Sequence, residues 1–105
     1  MLPINEMINT KDIKERIETD FGEKASEVYR IFNKAFERAD YLKSDRIIRC
    51  IVFLAGKDIE KLKEYIEVAI FDPRDVMFWA EYKNHGHNNP TLIRNFNLPF
   101  DQANI

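Results

Sequence analysis

At 105 residues the chain is long enough for one domain and one core, because a chain of this size buries roughly 60–70% of its unfolded surface. A formal net charge of −2 argues against broad electrostatic attachment to DNA, RNA or anionic membranes. With 45% apolar and 32% charged residues, three glycines and four prolines, the composition excludes a disordered chain. It also speaks against an all-β fold, which needs frequent turns.

Asn9 and Thr10 are both good helix-capping residues, and Ile13, Ile17 and Phe21 then recur every fourth position. This predicts a first helix over 10–21, ended by Gly22. A second is predicted over 23–41, where Ala25, Val28, Tyr29, Phe32, Phe36 and Ala39 step by three and four along one face. Its other face carries Glu23, Lys24, Glu27, Arg30, Lys34 and Arg38.

The run Arg46-Ile47-Ile48-Arg49-Cys50-Ile51-Val52-Phe53-Leu54-Ala55 could be a buried strand by periodicity alone. Capping signals at Ser44 and Gly56 favour a helix. So does the lack of a second strand-like segment to satisfy its backbone groups. A helix that is apolar nearly all round belongs at the centre of the fold. Asp58 then caps a fourth helix with Ile59, Leu62, Ile66 and Ala69 as its stripe.

Asp72-Pro73-Arg74-Asp75 is a strong helix start, with aspartate at the cap and proline in the first turn. The fifth helix is expected to run to about Asn84 and, with Val76, Met77, Phe78, Trp79, Ala80 and Tyr82, to be covered on two sides. Beyond it Asn becomes frequent and Pro90 and Pro99 interrupt regular structure. Leu92, Ile93, Phe96, Leu98 and Phe100 are nevertheless too apolar for a simple flexible tail. The expected fold is therefore all-α: about five helices in a compact antiparallel array with an extended C-terminal arm. Residues 1–88 are read as the helical domain. The arm at 89–105 is either part of that domain or a partner-binding tail.

Cys50 is the one cysteine and sits in an apolar run, so it is expected to be buried and inert. The opening Met1-Leu2-Pro3-Ile4-Asn5-Glu6 lacks the basic start and apolar stretch of a signal peptide, and no run approaches a membrane span. Asn89-Pro90-Thr91 has proline in the position that bars glycosylation. A cytoplasmic setting and no membrane contact follow as expectations.

Four constellations could carry chemistry. Arg46 and Arg49 lie one turn apart on an apolar helix and, with Arg74, could form an anion or carboxylate site. The favoured alternative is internal pairing with Asp72, Asp75 or Glu81, since a buried arginine needs a partner. Glu81, His85 and His87 form the one metal-like cluster. They fall short of a zinc ligand set, and a frayed helix end is preferred to a metal site. Arg30, Lys34 and Arg38 make a basic stripe on the second helix. Its aromatic neighbours Phe32 and Phe36 lie on the core face, so a solvated surface is preferred to a nucleic-acid site. Phe78, Trp79 and Tyr82, together with Leu92, Ile93, Phe96 and Phe100, could be a binding surface. The alternative is that the arm folds back over helix five, and a homodimer with exchanged arms would satisfy both.

Arg46-Ile47-Ile48-Arg49-Cys50-Ile51 with Phe53-Leu54-Ala55, then Leu62-Lys63, Tyr65-Ile66, Asp72, Arg74-Asp75-Val76 and Ala80-Glu81-Tyr82, resembles a group of small bacterial proteins of uncharacterised function. The likeness covers about a third of the chain, within residues 46–82. In that group the glycine falls one place later than Gly56, and no proline stands at Pro73. The resemblance implies a bacterial source and helices over 45–84, and it carries no activity.

There is no glycine-rich phosphate loop, His-Glu-x-x-His, paired-cysteine motif or Gly-x-Ser-x-Gly. No catalytic residue and no cofactor can be nominated, which leans away from an enzyme. The expectation is a protein–protein interaction module (adaptor, regulator, or antitoxin- or immunity-type protein) acting on a protein partner or by self-association. Its candidate binding residues are Arg46, Arg49, Asp75, Trp79, Glu81, Tyr82 and Phe96. The alternative is a small ligand-binding protein or enzyme using an Arg/carboxylate pocket between helices three and five.

Overall fold

A computed structural model of the chain describes residues 8–86 and 88–105. The opening segment read for a signal peptide, and His87 of the metal-like cluster, lie outside them. The described residues form five α-helices: α1 (Lys11–Phe21), α2 (Ala25–Arg38), α3 (Asp45–Ala55), α4 (Ile59–Phe71) and α5 (Pro73–Glu81). Single 3-10 turns stand at Gly22–Lys24, Asp40–Lys43 and Phe100–Gln102. A two-stranded antiparallel ladder joins β1 (Tyr82–Lys83) to β2 (Thr91–Leu92), with Tyr82 opposite Leu92. The fold is an all-α, compact helical array with a C-terminal arm.

The apolar stripes do what their spacing demands. Ile13, Ile17 and Phe21 of α1 and Val28, Tyr29, Phe32 and Phe36 of α2 are buried in one core. α3 is the central helix, packing on α1, α4 and α5 and burying Ile47, Ile48, Cys50, Ile51, Val52 and Ala55. The choice of helix over strand for this run is therefore right. At its end Gly56 adopts the left-handed conformation (φ 55°, ψ 42°) that glycine enters without a Cβ clash.

The caps are mixed. Asp58 Oδ1 accepts the N–H groups of Glu60 and Lys61 at 2.9 and 3.2 Å, and Asp72 Oδ1 accepts that of Arg74 at 3.0 Å. Thr10 and Ser44 stand at N-cap positions without a side-chain cap bond. The Thr10 hydroxyl instead donates to Asp45 at 2.8 Å, tying the start of α1 to that of α3.

Two boundaries differ from the sequence reading. α2 stops at Arg38, and the chain turns through the 3-10 segment that buries Leu42. α5 stops at Glu81 instead of Asn84, because the arm claims its end. The Glu81 carbonyl accepts the N–H groups of both Ile93 (2.7 Å) and Arg94 (3.1 Å). Helix five is also not covered on two sides. Val76, Ala80 and Glu81 are buried, while Met77 and Phe78 are half-buried and Trp79 is 38% exposed.

The arm folds back on its own chain. Asn95 donates to the Ala103 carbonyl and Ile105 to the Ile93 carbonyl, closing the arm on itself around the turn at Phe100–Gln102. Phe96 is 2% exposed and packs against Phe53 of α3 and Phe100, with ring centroids 5.4 and 5.6 Å away. Arg94 lies over the Phe53 ring at 4.3 Å and donates to the Ala80 carbonyl at 3.1 Å.

Candidate functional site

The two arginines of α3 are the centre of the charged architecture. One turn apart, they face different partners. Arg49 is bidentate to Asp12 of α1 (Nε–Oδ2 3.0 Å, Nη2–Oδ1 2.8 Å), and its Nη1 donates to the Phe96 carbonyl at 3.1 Å. Arg46 is bidentate to Glu81 of α5 (Nε–Oε2 3.0 Å, Nη2–Oε1 2.5 Å). The carboxylates also hold the arm. Glu81 Oε2 accepts the Phe96 N–H at 3.0 Å, and Asp12 Oδ2 accepts the Phe100 N–H at 3.1 Å.

Both α3 arginines are thus paired internally, the alternative favoured from sequence. The partner of Arg49 differs from those expected there: Asp12, 37 residues upstream, replaces Asp72, Asp75 or Glu81. The reason is packing, since α1 crosses α3 and brings Asp12 to Arg49. Asp12 is held below the usual carboxylate range, first by its hydrogen bond from Arg49 and then, against the opposing effect of burial, by the Phe100 N–H. Hydrogen bonding to their carboxylates likewise raises the pKa of Arg46 and Arg49.

Asp75 and Arg74 stand apart from this network. Asp75 is exposed, and Arg74 turns back on the capping Asp72 at 2.9–3.0 Å. Glu81 and His85 are not brought together as metal ligands. Glu81 is 1% exposed with its oxygens taken by Arg46 and Phe96, whereas exposed His85 lies against Phe78 and the Tyr82 carbonyl. Among the described residues no group of three His, Cys, Asp or Glu side chains could hold a metal ion. Cys50 is fully buried, and burial pushes its thiol pKa up, away from the reactive thiolate.

On the outer side of the Arg46–Glu81 pair lies an open groove of about 450 Å³, lined by Arg46, Arg74, Met77, Phe78, Glu81, Tyr82 and Pro90. The Phe78 ring makes tilted contacts with those of Tyr82 and His85, at centroid distances of 5.3 and 5.0 Å. Trp79 projects from the adjoining surface of α5 and meets Tyr65 edge-on at 6.2 Å. Phe96, expected with them as one binding surface, lies instead in the core. Sequence reasoning did not single out Met77 or Pro90 as site residues. The signal for Met77 lay in the surplus of apolar residues on α5; Pro90, between β1 and β2, reaches the groove through the chain's return and had no local signal.

No family model, curated protein or solved structure matches this chain. Among the described residues no helix is long and apolar enough to cross a membrane.

Proposed function

We propose that the chain is a cytoplasmic protein-interaction module that receives an apolar segment of a partner on the outer face of α5. One observation carries this reading: Met77, Phe78 and Tyr82 line an open groove beside exposed Trp79, while the arm is engaged in its own core. Aromatic side chains that are half desolvated and held by neighbours lose little entropy on binding, and such residues anchor interfaces. A bacterial source, and kinship with the small helical proteins that residues 46–82 resemble, belong to the same reading.

The test is affinity capture from native lysate with the wild-type bait and a Phe78→Ser bait, followed by titration of the purified captured protein. Direct binding that shifts Trp79 emission and is lost on Phe78→Ser supports the module. Binding indifferent to Phe78, or none at all, overturns it.

A second reading rests on the same groove. Its volume of about 450 Å³ falls among those of small-ligand sites, and Arg46 and Arg74 line it. A small aromatic carboxylate would fit that chemistry. A thermal-shift screen of such acids, with Arg74→Ala as control, separates it from protein docking.

A further inference from the structure

The last turn of α5 is finished by the arm. A helix leaves its final carbonyls without partners of its own. In α5 the Glu81 carbonyl takes the N–H groups of Ile93 and Arg94, and the Ala80 carbonyl takes Arg94 Nη1 at 3.1 Å. The Glu81 side chain is tied to the arm as well: its Oε2 accepts from the Phe96 N–H and from Arg46 Nε, each at 3.0 Å. Tyr82, the next residue, stands opposite Leu92 in the ladder, and Pro90 comes just before β2.

These contacts reach the α5 groove. Glu81, Tyr82 and Pro90 all line it, and Arg46 lines it in the orientation that Glu81 fixes. The anchor of the arm lies elsewhere, since Phe96 is buried against Phe53 and Phe100 and takes no part in the groove. Arg46 gives Nε and Nη2 to Glu81, and its Nη1 has no hydrogen-bond partner among the described residues. An occupant can therefore meet Arg46 without taking it from Glu81, and so without freeing Phe96.

We propose that the arm is a strap that builds the α5 groove, so that occupancy of the groove and seating of Phe96 reinforce each other. This control rests on the groove being the binding surface, as proposed above. Unseating Phe96 releases Glu81, Arg46 and the end of α5 together, and the groove is lost with them. Linkage makes the effect reciprocal: an occupant that needs the seated arm holds the arm down.

The experiment follows amide exchange by NMR in the full chain, with 2-naphthoate as the probe because it offers an aromatic face and a carboxylate. If opening of the arm destroys the site, the probe at about nine times its Kd slows exchange of the Phe96 and Phe100 amides about tenfold. Unchanged or faster exchange there, with the probe bound, overturns the proposal. Arg94→Met removes the contact to Ala80 from outside the groove. It should weaken 2-naphthoate about fivefold, and in the ligand-free protein it should move the Met77 methyl and the Phe78 and Tyr82 ring resonances. Val28→Ala, in the buried face of α2, should cost stability but leave affinity and those resonances alone. Circular dichroism establishes that the variants are folded, and Arg94→Lys carries the same test if Arg94→Met is not. No effect at Arg94, or an equal effect of Val28→Ala, overturns the proposal. Failure of 2-naphthoate to bind the wild type removes the groove as a small-ligand site. The ligand-free resonances of the Arg94 variant then decide the strap: movement supports it, and none overturns it.

Discussion

The Glu81 carboxylate and the Phe96 backbone N–H meet at 3.0 Å inside the core, joining the last residue of α5 to the middle of the arm. The same carboxylate oxygen accepts from Arg46 Nε. Glu81 therefore serves as a connector between α3, α5 and the arm. Arg49, one turn along α3 from Arg46, donates to the Phe96 carbonyl. Both polar groups of one arm residue are thus held by charged side chains.

Removing Glu81 should destabilise the fold. Breaking a buried pair costs about 3–5 kcal/mol when the remaining charge is sealed from water. Here the Arg46 side chain is 37% exposed and can rehydrate. Glu81→Leu is accordingly expected to cost about 2–3 kcal/mol, chiefly through the orphaned Phe96 N–H and the half-buried guanidinium. Glu81→Gln, which keeps an acceptor for Phe96, should lose less. Urea denaturation of both variants, with Arg46→Met as the second arm of a double-mutant cycle, measures the difference.

Asp12 should make stability fall in acid. Its folded pKa is depressed, so its contribution is fully present above the ordinary carboxylate value of about 4. It is lost as pH falls through the lower folded value, because the unfolded chain then binds the proton more readily. Asp12→Asn is expected to be less stable at neutral pH and to show a flatter decline below that value. Denaturation midpoints across acid pH, wild type against variant, give the comparison. Equal slopes would mean that the Arg49 pair does not set the acid limb.

Truncation after Asn89 is expected to act on stability rather than on partner binding alone. It removes Phe96 from the core and strips the backbone partners of Glu81, Arg49 and Asp12. Loss of one buried phenylalanine costs about 3–5 kcal/mol, a large share of the 5–15 kcal/mol that a domain possesses. The truncated chain should therefore be unfolded or molten at physiological temperature, as near-ultraviolet circular dichroism would show. A well-folded truncated chain would make the arm dispensable.

Much of this arrangement is legible in the sequence, and the illegible parts share one cause. The α2 stripe from Ala25 to Ala39, the aspartate caps at 58 and 72, and the helical state of 46–55 follow from local spacing and capping chemistry. The partner of Arg49 does not, because Asp12 is 37 residues away and reaches it only through the crossing of α1 and α3. The end of α5 is likewise decided by distant residues. Helix propensity would continue through Tyr82 and Lys83, but Ile93 and Arg94 bind the Glu81 carbonyl and β2 pairs with Tyr82–Lys83. Phe96 looks like a surface anchor by type. Its burial depends on two carboxylates and an arginine whose side chains converge only in the folded state.

Cys50 offers a reading of global opening. Its thiol, on the core-facing side of α3, is fully buried, and burial raises its pKa, so neither access nor thiolate fraction permits reaction in the native state. Labelling by a thiol reagent such as DTNB should be negligible for the folded protein and should track the urea transition. In Glu81→Leu the reaction should accelerate exponentially with the lost stability, about tenfold per 1.4 kcal/mol, because opening is what exposes the sulfur. Fast labelling of the wild type without denaturant would mean that the α3 core opens locally. The arm clamp would then stabilise only the edge of the molecule.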